Sequence, residues 1–402
     1  MSENTPATPK SPTPILDRQS PLPALAPRGY SAGLLVGLLI CIVIALSTAA
    51  TFWQPLSILS VRQHLTAILP ELFPSRWTVA AMVSLGLMAI LVAFAAVAVH
   101  ELGHVLGGLC AGFRFNSLRI GPLLIHRGFR ISQYRGWGAW LGGAAQMIPI
   151  ASGELDSRAL VLVCAGPAAS ILSGSAVLFL PARGLATGLF AVASVIGGLA
   201  DLVPWRTSSV VSDGARIWML LTRRAQGERW LALLRLGADL TEGVPPESLS
   251  AEWLSKATAV CDHSADTVTA HAIAYAAAFH QHRDVEAGQL LETCLRFSSS
   301  VAPAVRAALM SDAAVFQARR RKRPDLAEQW LIEMPATTPQ LWLRSRAEAA
   351  VLEAHGDFEG TVRKLDECEK AIRALPSATQ REVLLRGLRR WRSELPGAAD
   401  IP

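Results

Sequence analysis

Charge is in short supply in this 402-residue chain: Asp, Glu, Lys and Arg together make up 17% of it, against 51% hydrophobic residues and a mean hydropathy of +0.33. The shortage is concentrated. Four stretches, Ser31 to Trp53, Trp77 to Val99, Ala159 to Ala182 and Gly184 to Ala200, are almost free of ionisable residues, which excludes an ordinary soluble domain over the first half. Cysteine is equally uninformative as a scaffold. The six (Cys41, Cys110, Cys164, Cys261, Cys294, Cys368) are scattered with no CxxC spacing, so neither a disulfide framework nor a cysteine zinc site is expected. Asparagine occurs only at Asn4 and Asn116.

A hydrocarbon core about 30 Å thick takes roughly 20 residues of apolar helix, and the first three stretches reach that length. The fourth does so only by running past Asp201 to Trp205, which puts a carboxylate at the membrane interface or in a polar cavity. The spans are therefore placed at 31–53, 77–106, 159–182 and 184–205. A cleaved signal peptide is the alternative for the first, with Ser47-Thr48-Ala49 supplying small residues. The Pro-, Ser- and Thr-rich residues 1–29 read as a disordered tail.

Arginine sets the expected topology. Arg114, Arg119, Arg127, Arg130, Arg135 and Arg158 lie between the second and third spans, and Arg206, Arg216, Arg223 and Arg224 follow the fourth. The other loops are poorer in basic residues, so these segments and both termini are expected in the cytoplasm, as for a multi-pass protein of the plasma (inner) membrane. The formal charge of +6 is then a topology signal, with the lipid bilayer and no nucleic acid as partner.

The second uncharged stretch ends in His100-Glu101-Leu102-Gly103-His104. Residues four apart share one helix face, so His100 and His104 can turn both imidazoles toward one metal ion, with Glu101 placed to take a proton from a water there. Ionisable side chains at the end of an uncharged span are costly unless they bind something. A catalytic zinc has three protein ligands and a water, and Asp213, Asp201 and His126 are the candidates for the third place.

With Ala165-Gly166-Pro167-Ala168-Ala169 in the third span and a Leu202-Val203-Pro204 to Asp213-Gly214 segment after the fourth, the chain resembles the site-2-protease-like intramembrane zinc metallopeptidases over about residues 77 to 220. The resemblance implies His100, His104 and Asp213 as ligands of Zn2+, Glu101 as catalytic base, and a membrane-protein substrate cut in or near the bilayer. The family often has Asn where this chain has Ser170 and Asp201. Gly166-Pro167 itself reads as a kink and close-packing device without chemistry.

Between the second and third spans, Ser117 to Ile120, Leu123 to His126 and Phe129 to Tyr134 read as short strands of a small β-hairpin insertion, whose edge is suited to pairing with an unwound substrate. From about Glu228 the chain reads as soluble and helical. Passages beginning His282-Arg283-Asp284, Arg323-Pro324-Asp325 and His355-Gly356-Asp357 repeat loosely, their aspartates 41 and 32 residues apart, close to a tetratricopeptide period. The basic run Arg319 to Arg323 falls at an inter-helix turn and is expected to be a solvated loop. The expectation is an all-α polytopic membrane protein of about four spans over 30–222, with a helical repeat-like domain over 228–395 that binds a protein partner. The alternative is a membrane-anchored scaffold that retains the fold without catalysis.

Overall fold

The structure is a computed structural model and describes residues 14–24, 78–134, 142–150, 154–179, 185–207, 210–222, 224–335, 341–375 and 378–396. Two compact units divide the chain: residues 27–238, and residues 1–26 together with 239–402. The expected first span, 31–53, lies outside the described residues.

In the first unit, α1 (Val79–Cys110), α2 (Leu155–Phe179) and α3 (Leu185–Leu202) pack against one another. Three segments of them, Met82–Cys110, Leu155–Val177 and Leu185–Leu202, are long and apolar enough to cross a membrane. Leu91, Leu172 and Leu199 stand exposed on them, as suits helices whose outer surface meets hydrocarbon and whose association rests on close packing. At 32 residues, α1 is about 48 Å long, more than a 30 Å core requires. Two boundaries move from expectation. The helix α2 begins at Leu155, taking Asp156 and Arg158 into its first turns, and α3 stops at Leu202, before Pro204.

Between α1 and α2 lie β1 (Phe113–Ile120), β2 (Leu123–His126), β3 (Arg130–Gln133) and β4 (Gly143–Pro149), in antiparallel order β3-β2-β1-β4. The insertion is thus a four-stranded sheet and not a hairpin. The missing strand, β4, reads Gly-Ala-Ala-Gln-Met-Ile-Pro, which has one β-branched residue and little strand propensity of its own. Pairing with β1 from Phe113 opposite Pro149 to Ile120 opposite Gly143 holds it in place. Met147 of β4 and Phe113 of β1 are buried with Leu155, Ala159 and Leu162 of α2. The Arg158 guanidinium closes the end of α1, donating to the carbonyls of Ala111 (2.7 Å) and Gly112 (2.5 Å), where helix carbonyls lack intrahelical partners. The unit ends with α4 (Asp213–Leu221); α5 (Ala225–Thr241) crosses its boundary.

The second unit holds α6 (Ala251–Thr258), α7 (Ala265–His280), α8 (Asp284–Arg296), α9 (Pro303–Arg319), α10 (Pro324–Glu333), α11 (Leu341–Ala354), α12 (Phe358–Arg373) and α13 (Ala378–Ser393). Helices α7 and α8, α9 and α10, and α11 and α12 form successive hairpins, with α11 also packing on α9. Each hairpin turns through one left-handed residue: His282 (φ 58°), Lys322 (φ 53°) and Gly356 (φ 80°). Each of these lies two positions before the next helix, so the structural spacing is 40 and then 34 residues, not the 41 and 32 of the aspartates. Their shared core includes Leu291, Leu295, Phe316, Trp330, Leu365 and Ile372.

One expectation about this unit is corrected and another holds only in part. Residues 14–24, assigned to disorder from composition, are ordered against the helices, with Ile15 and Leu16 in the core cluster. The run Arg319 to Arg323 is a solvated turn from Arg321 onward, with Arg321, Lys322 and Arg323 exposed, but its first two arginines are held down. The Arg319 side chain is 13% exposed and pairs with Glu353 (3.0 Å) and Glu394 (2.8 Å). Arg320 covers Phe279, 4.4 Å from the ring centre, and Arg321 pairs with Asp17.

Candidate metal centre

The separation of four residues puts His100 and His104 on the same side of α1, and α2, α3 and α4 bring polar groups to that side. Asp213, the first residue of α4, lies with its Oδ2 3.2 Å from His100 Nε2 and 3.0 Å from His104 Nε2. The two Nε2 atoms are 3.2 Å apart. Ligands 2.0–2.1 Å from a tetrahedral zinc stand about 3.3 Å from one another, so the three atoms outline one face of such a site. Among the described residues, His100, His104 and Asp213 are the group able to hold a metal ion.

Both other candidates for the third place are accounted for. His126 is on β2 with its Nε2 on Ser132 Oγ at 2.8 Å, outside the cluster. Asp201, in the last turn of α3, does reach one of the histidines: its Oδ2 is 3.1 Å from His100 Nε2, and its Oδ1 accepts a long bond (3.4 Å) from the Asp213 backbone N–H. It stands beside Asp213 as a second carboxylate.

The far side of each imidazole is also held. With Nε2 turned inward, His100 Nδ1 is hydrogen-bonded with Ser170 Oγ (3.1 Å), and His104 Nδ1 donates to the Leu162 carbonyl (2.8 Å). Such outer bonds fix the tautomer and the ring plane of a metal-ligating histidine. Ser170, visible in the sequence only as a departure from the family's Asn, is buried and fills that place.

Asp213 is positioned through Ser212. The Ser212 hydroxyl donates to the Val203 carbonyl (2.8 Å) and accepts from the backbone N–H of Trp205 and of Ala215, both at 3.1 Å. The residue therefore caps α4 and ties its start to the Val203 to Trp205 segment that leaves α3. A short return of the chain, Thr207 N–H to the Val210 carbonyl at 2.8 Å, closes the turn.

Two glycines make room for the cluster. A Cβ on Gly166 of α2 would lie 2.2 Å from His104 Nε2, and one on Gly143 at the start of β4 would lie 2.2 Å from Glu101 Oε1. Gly166-Pro167 thus does more than kink a helix, since it leaves space for a donor atom. Glu101 is 8% exposed, under the strand that the sequence did not disclose. Arg119 of β1 holds that strand's first turn, donating to the carbonyls of Gly142 (3.2 Å) and Gly143 (3.0 Å).

Three carboxylates, Glu101, Asp201 and Asp213, gather at the end of an apolar helix beside the two imidazoles, a cluster that is costly there unless its members are paired or hold a cation. The two-nitrogen, one-carboxylate donor set suits zinc, with one position left for water or substrate.

A search of curated proteins and of solved structures finds no match to this chain. The family model described as Peptidase family M50 matches residues 88–366, from within the first half of α1 into α12 and therefore well over half of the chain. The chain belongs to peptidase family M50, the site-2-protease family of membrane metallopeptidases.

Proposed function

We propose that this chain is a zinc endopeptidase that hydrolyses peptide bonds of membrane-bound proteins in or beside the bilayer, with His100, His104 and Asp213 as ligands and Glu101 as catalytic base. The observation that carries the reading is the convergence of three donor atoms within 3.0–3.2 Å beside a buried glutamate, in a chain of this family. Zinc held there supplies polarisation of the scissile carbonyl and acidification of a water. Glu101 accepts the proton of the attacking water and returns it to the leaving nitrogen.

A spanning helix hides its peptide bonds in its own hydrogen bonds, so the substrate is cut where it is unwound. The strand β4 is at an end of the sheet and begins at Gly143 against Glu101. An extended substrate segment pairing with that edge would present its backbone next to the base. The arginine-rich segments support, by the positive-inside rule, a cytoplasmic position for the sheet and both termini of a plasma-membrane protein. The tetratricopeptide-like reading of α7 to α12 assigns that region to partner binding.

The test is Glu101→Gln in the full chain. Turnover of a transmembrane substrate in detergent or liposomes should fall by about 10² to 10⁴, with metal content by elemental analysis unchanged. Cleavage equal to that of the unsubstituted chain would remove Glu101 from the chemistry, whereas no cleavage by either form would favour the scaffold reading.

A further inference from the structure

The N-terminal segment 14–24 has a composition that forms no core of its own, yet it is held by the helical unit as a ligand is. Ile15 and Leu16 are 8% and 2% exposed, within a cluster that includes Leu291, Leu295 and Trp330. Side chains of the helices meet its backbone. The Glu292 carboxylate on α8 accepts from the N–H groups of Ile15 (3.0 Å) and Leu16 (2.7 Å). Gln317 of α9 and Trp330 of α10, both fully buried, donate to the Leu16 carbonyl at 2.8 and 3.2 Å. Arg306 donates to the Pro23 carbonyl at 2.6 Å.

Its charged side chains are matched in order. Asp17 pairs with Arg321. Arg18 pairs with Glu333 and lies over the Trp330 ring, 4.5 Å from its centre. The segment turns through Arg18 at φ 60°, with the Arg18 N–H on the Ile15 carbonyl at 2.9 Å. Backbone read by buried side chains, two aliphatic anchors and a matched acid and base are the features of a peptide in a recognition groove. Gln317 and Trp330 are placed for a carbonyl from outside their own helices, and Leu16 supplies it.

We propose that the face formed by α8, α9 and α10 is a peptide-recognition groove, that residues 14–24 occupy it in the resting chain, and that its partner is a protein segment of the same chemistry: two consecutive aliphatic residues followed by an acidic and a basic one, in a turn. Such a partner displaces the N-terminal segment. The inference deepens the reading of the helical region as a binding module and is independent of the peptidase reading.

The experiment compares the full chain with a chain lacking residues 1–24, both in detergent, titrated against a fluorescein-labelled peptide of residues 14–24. Saturable binding is expected to the shortened chain, and binding about 10-fold or more weaker to the full chain, whose groove is filled. In the shortened chain, Arg321→Glu should weaken binding about 10-fold, and a peptide carrying Asp17→Arg should restore it. If the shortened chain does not keep its helical circular dichroism, the full chain carrying Leu16→Asp takes its place, with the same expectations. No binding to a folded, segment-released form overturns the proposal, as does equally tight binding to the full chain. Loss of proteolysis with peptide binding intact leaves the groove established and the peptidase reading in question, so the two fail separately.

Discussion

Each residue at the metal centre is defined by an atom close behind it. Gly166 and Gly143 both lie where a methyl group would have to overlap a functional side chain, but they face different ones. Gly166→Ala should displace the His104 ring and lower metal affinity about 10- to 100-fold, the range for disturbed outer-shell support, measured by competition with a chromogenic chelator. Gly143→Ala should leave the metal bound and displace Glu101, so turnover falls with metal content near that of the unsubstituted chain. Equal loss of metal in both would mean that Glu101 and the ligands are not separable. The sequence displayed His100, Glu101 and His104 through a local rule, the four-residue period of a helix. It displayed neither glycine's purpose, because each contact is made with a residue more than 40 positions away.

At the level of elements, α1 supplies two donors, while Asp213 arrives on a separate short helix whose start is fixed by Ser212. Ser212→Ala removes the cap of α4 and both bonds to the Val203 to Trp205 segment. A lost cap costs about 1 kcal/mol, and the freed carboxylate should lower metal affinity without altering helix content. Metal titration alongside far-ultraviolet circular dichroism checks this, and an unchanged affinity would mean that packing alone sets Asp213. The strands β1 to β3 were legible from alternating and β-branched residues between Gly-Pro and Gly breaks. The strand β4 was not, since Ala, Gln and Met state no preference and only its partner β1 makes it a strand. The hairpin turns of the helical unit were legible as loose repeats. Their register became clear from the left-handed residues His282, Lys322 and Gly356, which are three different amino acids and so share no sequence signal.

For the whole molecule, the metal centre and the helical core fall in different compact units. A ligand that binds only the folded form stabilises the unit that holds it. Removing metal with a chelator should therefore lower the midpoint of one thermal transition and leave that of the helical unit in place, as read by differential scanning calorimetry of the full chain in detergent. A single transition that shifts as a whole would show the units to be coupled. The helical unit is also the place where composition misled most. Proline- and serine-rich sequence does not build a core, but it can be held by one, and Leu16 is buried by residues some 275 to 315 positions further along the chain.

The sequence by itself determined the features that depend on neighbours in the chain: charge-free runs long enough to span a bilayer, two histidines and a glutamate on successive turns of one helix, and the helical character of the second half. These rest on local periodicity and on the cost of placing charge in an apolar helix, and neither needs a fold to be stated. Only the tertiary structure decided which carboxylate meets both histidines, since Asp213 and Asp201 are 113 and 101 residues from His100 and both come within 3.2 Å of it. It likewise decided that His126 stays apart, that Ser170 supports His100, and that an eleven-residue tail segment is part of a folded unit. Those outcomes depend on how α1, α2 and α3 approach one another and on a groove assembled from three helices, and spacing along the chain carries no record of either.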